Sequence, residues 1–202
     1  MHDQRIIHGN LKGVCSSTCD HCSTHSLPSL KANILIDNDR HPRLIGTCLS
    51  KVTSCQSSMT SAAMLGGSSR WMSPELFDPT RIGKKESRPT RKSDCYALGM
   101  VIYEVLSGRI PFAENPEVIA ILKILKGEHP EIPVGTRGIW FTADLYRMLV
   151  MCWHAQVNSR PGLDTVLRSL QDATRPPGPP YDVDGDMEVD TDPQSDATIY
   201  SD

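Results

Sequence analysis

No run of about 18 apolar residues occurs in this 202-residue chain, so nothing in it is long enough to read as a membrane-spanning helix. The opening MHDQRIIHGN has no apolar stretch of the kind a secretory signal needs. Together these absences give an intracellular, cytoplasmic expectation with no membrane partner. Aromatic residues make up only 5% of the chain against 39% hydrophobic residues overall, the balance of a soluble globular protein with one core and extra segments. A strong charge of one sign is lacking too. The net charge is -3, but residues 175–202 hold eight acids against Arg175 alone and so carry -7, which leaves +4 on 1–174. That is too mild and too dispersed for a nucleic-acid partner, and no groove-reading motif accompanies it. Seven cysteines are present, an odd number. In a reducing compartment they read as free thiols or metal ligands, not as a disulfide framework.

Three stretches have no sustained apolar period. Residues 175–202, opening RPPGPPYDVDGDMEVDTDP, are Pro- and Asp-rich and have too few apolar groups to offset the entropy of ordering, so a disordered acidic tail is expected. The Ser/Thr-rich segments VCSSTCDHCSTHSLPS at 14–29 and SKVTSCQSSMTSAAMLGGSS at 50–69 read as loops. Between them, ANILID at 32–37 and PRLIGT at 42–47 are short apolar runs separated by Asn38, Asp39 and Pro42, as in a hairpin.

The remaining signals are helical. From Asp94, apolar Leu98, Val101, Ile102, Val105 and Leu106 recur at helical spacing until Gly108 and Pro111, which predicts a central buried helix. Asn115 as cap, Pro116 as first residue and Glu117 in the first turn precede Val118, Ile119, Leu122 and Leu125, with Gly127 as terminator. Thr142 is placed to cap a third helix through Leu145, Met148, Leu149 and Cys152. Pro161 precedes a fourth with Leu163, Val166, Leu167 and Leu170. The body, 1–174, is expected to be mainly α with a short β-hairpin. No internal repeat of fixed period occurs.

Four pieces in order, HGNLKG at 8–13 with ANILID at 32–37, SSRWMSPEL at 68–76, KSDCYALGMVIYEVLSGRIPF at 92–112 and CWHAQVNSRP at 152–161, resemble the C-terminal lobe of a eukaryotic protein kinase of the tyrosine-kinase-like group. The resemblance implies a kinase-like C-lobe that starts inside the family's domain. The Gly-rich loop, the β3 lysine and the αC glutamate would all precede residue 1. It also assigns roles. In the family's H-R-D-x-x-x-x-N loop the aspartate accepts the substrate hydroxyl proton and the asparagine holds a Mg²⁺. Asn10 stands at the aspartate's position, and an amide is no general base. Lys12 matches the catalytic-loop lysine of Ser/Thr-directed kinases and is expected to be a solvated surface residue. Gly9 replaces the arginine that reads activation-loop phosphorylation. Asn33 matches the metal-binding asparagine, but it lies 23 residues after Asn10 where the family spaces them five apart.

Removing Val14–Lys31 yields HGNLKGANILID, a seamless family match, so an 18-residue block is inserted in the loop. Its length and its Val and Lys ends suit an in-frame retained intron. An evolved metal-free loop and a zinc site built from Cys15, Cys19, Cys22 and His25, with His21 nearby, remain alternatives. At the position of the D-F-G aspartate that binds Mg²⁺, alignment on PRLI places Gly46, and Leu35 would line the lower wall of a nucleotide pocket. The skeleton is kept. Asp94 matches the aspartate that accepts backbone donors of the catalytic loop and so holds His8, and Glu75 with Arg160 matches the buried pair that pins the activation segment. The implied function is a catalytically inactive, pseudokinase-like binding or scaffold module with no cofactor and a protein partner on its exposed surface. The alternatives are an active Ser/Thr kinase using ATP and Mg²⁺ whose sequence is mis-assembled, and a zinc-binding or helical interaction module.

Overall fold

The computed structural model describes residues 7–16, 33–45, 67–135 and 141–174, with backbone only at 14–16. The chain first forms a three-stranded sheet in the order β1 (Val14–Ser16), β2 (Ile34–Ile36), β3 (Pro42–Leu44). β2 and β3 are the expected hairpin, antiparallel with Leu35 opposite Arg43. The turn is set by Asp37, whose carboxylate accepts the Asp39 and His41 N–H groups and the Arg43 guanidinium. This is the local bonding that makes aspartate a turn former. One expectation is corrected here. Residues 14–16, read as the start of a loop, pair in parallel with β2, Val14 opposite Ile34 and Cys15 opposite Leu35. The isolated tripeptide carries no strand period, and its partner lies twenty residues further on.

The helices follow: α1 (Pro74–Phe77), α2 (Arg91–Ser107), α3 (Glu117–Lys126), α4 (Ala143–Cys152) and α5 (Leu163–Thr174), with single 3₁₀ turns at Ser69–Trp71, Pro79–Ile82 and Val157–Ser159. α2 starts at a capping box in which Thr90 accepts from the Ser93 N–H and Ser93 accepts from the Thr90 N–H. It ends where Gly108 takes φ 66° and returns its N–H to Glu104 O at 2.9 Å. This helix is buried on nearly every side, with Cys95, Tyr96, Met100 and Tyr103 inside as well as Val101 and Ile102. Val105, expected inside, is 60% exposed.

α3 begins one residue later than expected. Pro116 is its cap, while the Asn115 side chain bonds Glu114. It turns Ala120 and Ile124 into the core and leaves Val118, Ile119 and Leu122 exposed. α4 behaves as its spacing predicts: Thr142 accepts from the Leu145 N–H, and Leu145, Met148, Leu149 and Cys152 are all buried. On α5 only Val166 is fully inside, and Leu167 is exposed. The core forms around α2, on which α4 packs so closely that a Cβ on Gly99 would meet Trp153 Nε1 at 2.8 Å and Cys152 Cβ at 2.9 Å. Glycine is there because the Trp153 and Cys152 side chains fill the space a Cβ would need.

Candidate functional site

Asp94 lies one turn into α2, beyond the capping box, and is 2% exposed. Its two carboxylate oxygens accept the His8 N–H and the Gly9 N–H, each at 2.8 Å. A charged acceptor taking two backbone donors is a strong, directional clamp. It fixes residues 8–10 against a helix more than eighty positions away. Gly9 takes φ 74° under this clamp, a conformation that an arginine at the same place would adopt with strain. The His8 ring then completes the loop: Nδ1 accepts the Asn10 N–H at 3.2 Å, which assigns the proton to Nε2, and Nε2 donates to Ile45 O at 3.1 Å. His8 is 1% exposed, so both ring nitrogens are needed to satisfy it.

Asn33 closes the site from the hairpin side. Its Nδ2 donates to Asn10 O at 2.5 Å, its N–H donates to Lys12 O at 2.9 Å, and its carbonyl accepts the Ile45 N–H at 2.8 Å. Asn10, Lys12, Asn33, His8 and Asp94 therefore form one hydrogen-bonded unit despite the block between Gly13 and Asn33. Lys12, expected to be a solvated surface lysine, is 3% exposed. Leu35 stands on β2 at 37% exposure. Gly46, Cys19, His21, Cys22 and His25 lie outside the described residues, as does the Cys15 side chain.

A second buried unit carries Glu75 and Arg160. The guanidinium donates Nη1 to Oε1 at 2.7 Å and Nη2 to Oε2 at 2.8 Å, a bidentate pair whose side chains are 3% and 0% exposed. Its remaining donors reach His154 O and Lys92 O, and the Tyr96 ring lies 5.0 Å from its carbon. Ser73 Oγ adds a donor to Glu75 at 2.8 Å. Burial opposes the Glu75 charge, but the Arg160 guanidinium, the glutamate's own N–H and Ser73 outweigh it and hold the carboxyl below its ordinary range. The pair joins α1 to the base of α2 and to the turn before α5.

Three further supports escaped sequence reasoning. Arg70 donates to the carbonyls of Pro111, Phe112 and Asn115, which holds Phe112 at φ 54° in a conformation that non-glycine residues rarely adopt. Trp71 Nε1 donates to Glu104 Oε2 at 3.0 Å, and Ser69 Oγ bonds Glu117. The signal available was an arginine and a tryptophan side by side just before Ser-Pro-Glu, where a plain loop needs neither.

These units can position a peptide loop and expose its polar edge. The family described as protein tyrosine and serine/threonine kinase matches residues 30–170. A serine/threonine-protein kinase VIK of Arabidopsis thaliana is 32% identical over 143 residues, which is 69% of this chain and 30% of that protein. The receptor-interacting serine/threonine-protein kinase 4 of Mus musculus is 29% identical over 176 residues, 86% of this chain and 22% of that protein. A light-sensor protein kinase of Ceratodon purpureus is 28% identical over 182 residues, 85% of this chain and 13% of that protein. The chain thus spans less than a third of the length of any of these three. With the matched span running from the hairpin to the last helix, and with Asp94 and Asn33 tying His8–Lys12 to it, this chain belongs to the protein tyrosine and serine/threonine kinase family.

Proposed function

We propose that this chain is a kinase C-lobe module of the tyrosine-kinase-like type that transfers no phosphate and works by binding a protein partner on its exposed surface. One observation carries the reading: the loop Asp94 holds has an amide, Asn10, where the family's loop carries its catalytic carboxylate, and Asn33 bonds the carbonyl of that same residue. An amide orients a hydroxyl but takes no proton at neutral pH. The donor set also fits Mg²⁺ poorly. That ion prefers carboxylate and water oxygens in octahedral order. Among the described residues, Asn33 offers one neutral oxygen, and both oxygens of Asp94 are engaged by His8 and Gly9. Radiolabelled ATP with a general acceptor protein tests the proposal, with no incorporation above background expected. Incorporation that Lys12→Ala or Asn33→Ala abolishes overturns it and supports the second reading, an active Ser/Thr kinase, which Lys12, Asn33 and the kinase names of the relatives favour.

A further inference from the structure

Residues 81–92 read RIGKKESRPTRK, six basic side chains against one acid. They border a cleft of about 840 Å³ whose walls include Arg81, Lys84 and Lys92 on one side and Gln156, Val157 and Asn158 on the other. Part of this charge is already engaged. Arg81 lies 3.7 Å from Asp78 and donates to Leu125 O, Arg88 pairs with Glu86 at 2.9 Å, and Lys92 donates to Arg160 O. Glu75 in the wall is neutralised by Arg160. Lys84, Lys85 and Arg91 are exposed, and their side chains make no ion pair or hydrogen bond among the described residues. Lys126 in the last turn of α3, whose Leu125 carbonyl Arg81 reaches, extends the positive field, while Lys123 is paired with Glu128 at 3.7 Å. Five cations without an acidic partner, Lys84, Lys85, Arg91, Lys92 and Lys126, around a concave wall attract an acidic chain more than a flat surface would.

We propose that the cleft docks the acidic segment of this same chain, residues 182–192. That segment holds six acids and no base, which complements the cleft in sign. Reach also allows it. The turn Val157–Ser159 that lines the cleft leads directly into α5, whose 12 residues span about 18 Å. Residues 175–181 are Pro-rich and reach about 22 Å at about 3.1 Å per residue. The first acid, Asp182, can therefore return to the start of α5 without any part of the fold moving. A tethered segment docks at millimolar effective concentration, so ion pairs that are individually weak at a surface suffice as a group. The contact is electrostatic and weakens as salt shortens the screening length. It holds whether or not the module transfers phosphate, since it uses none of the residues of the His8–Asn33 loop.

Carbodiimide coupling of the full chain, read by mass spectrometry on an equal mixture of unlabelled and ¹⁵N-labelled protein, tests it. Expected are amide links from Lys84 and Lys85 to acids of 182–192 within one chain, on the order of tenfold weaker at about 1 M salt, where the Debye length is about 3 Å. The Asp184→Asn, Asp186→Asn, Glu188→Gln variant is expected to lose most links from the remaining acids, while its melting midpoint stays unchanged. Links of which about half join an unlabelled to a labelled chain, the statistical share for pairing between copies in an equal mixture, make a second copy the occupant and overturn the proposal. So do links spread over all lysines in proportion to their exposure, or no links at all.

Discussion

Glu75 and Arg160 carry opposite charges in a place where neither side chain exceeds 3% exposure, so each is tolerable only because of the other. Replacing Glu75 by Gln leaves the guanidinium buried without its counter-charge, and about 3–5 kcal/mol of stability is expected to be lost in urea unfolding. The pair also sets an acid limit. Because the folded carboxyl sits below its ordinary value of 4.5, its contribution is complete above that value and disappears as the pH falls through the lowered one. Unfolding midpoints recorded from pH 7 to pH 3 should fall at the acid end, and Glu75→Gln should flatten that part of the profile. Cys95 and Cys152 are free and fully buried in the core. The bond to Cys95 and burial both push the Cys152 thiol up, so little thiolate forms. A maleimide should label neither residue until denaturant is added. Labelling of either in the native protein, located by peptide mapping, would contradict the packing of α2 on α4.

At the scale of elements, the α2–α4 contact and the block Val14–Lys31 make the clearest demands. Gly99→Ala places a methyl group within 3 Å of both the Trp153 ring nitrogen and Cys152 Cβ. Helix propensity alone would favour alanine by about 1 kcal/mol, yet overpacking against a buried indole costs about 1–3 kcal/mol, so a net loss of melting temperature is expected. The block gives the opposite expectation. The Asn33 N–H already meets Lys12 O at 2.9 Å. If Val14–Lys31 is removed, Lys12 and Asn33 become the first and fourth residues of a turn closed by that same bond, with Gly13 already at φ 56°. Shortening the connection lowers the closure cost by about 1.5 kcal/mol on the logarithmic rule, which offsets the loss of the three-residue pairing of β1 with β2. Calorimetry of the deletion variant should show an equal or higher midpoint. A lower one, or a midpoint that zinc raises and EDTA lowers in the intact chain, would make the block a structural part of the protein.

For the whole molecule, the proposed lack of phosphoryl transfer has a binding counterpart. A ligand held only by the folded state stabilises by RT ln(1 + [L]/Kd), so saturating Mg-ATP at 100 times its Kd would add about 2.7 kcal/mol. With Asn10 in the loop and Asp94 already committed to backbone donors, no shift in melting is expected on adding Mg-ATP. A reproducible rise of several degrees would favour the active reading. The regular elements of this molecule were largely visible beforehand. Gly108 and Gly127 as terminators, Thr142 as a cap and the Leu145–Cys152 stripe are local features, encoded within a few residues by capping geometry and a 3.6-residue period. The site was visible only in part. His8, Asn10, Asn33, Glu75, Asp94 and Arg160 stood out by motif, whereas the burial of Lys12, the threefold grip of Arg70 and the Trp71–Glu104 bond did not.

What the amino-acid order alone determines here is the identity of the chemistry: an amide at position 10, a bidentate-capable arginine at 160, a basic run at 81–92 and an acidic one at 182–192. These are composition and spacing, and no folding is needed to read them. Tertiary structure alone decided which side chains lose their water. Lys12, expected in solvent, is covered, while Val105 and Val118, expected inside from helical spacing, are left in solvent. A helix has one apolar period but several neighbours, and burial depends on which neighbour arrives. The same reason made Val14–Ser16 a strand: its hydrogen-bond partner is twenty residues distant, and only the fold brings the two together.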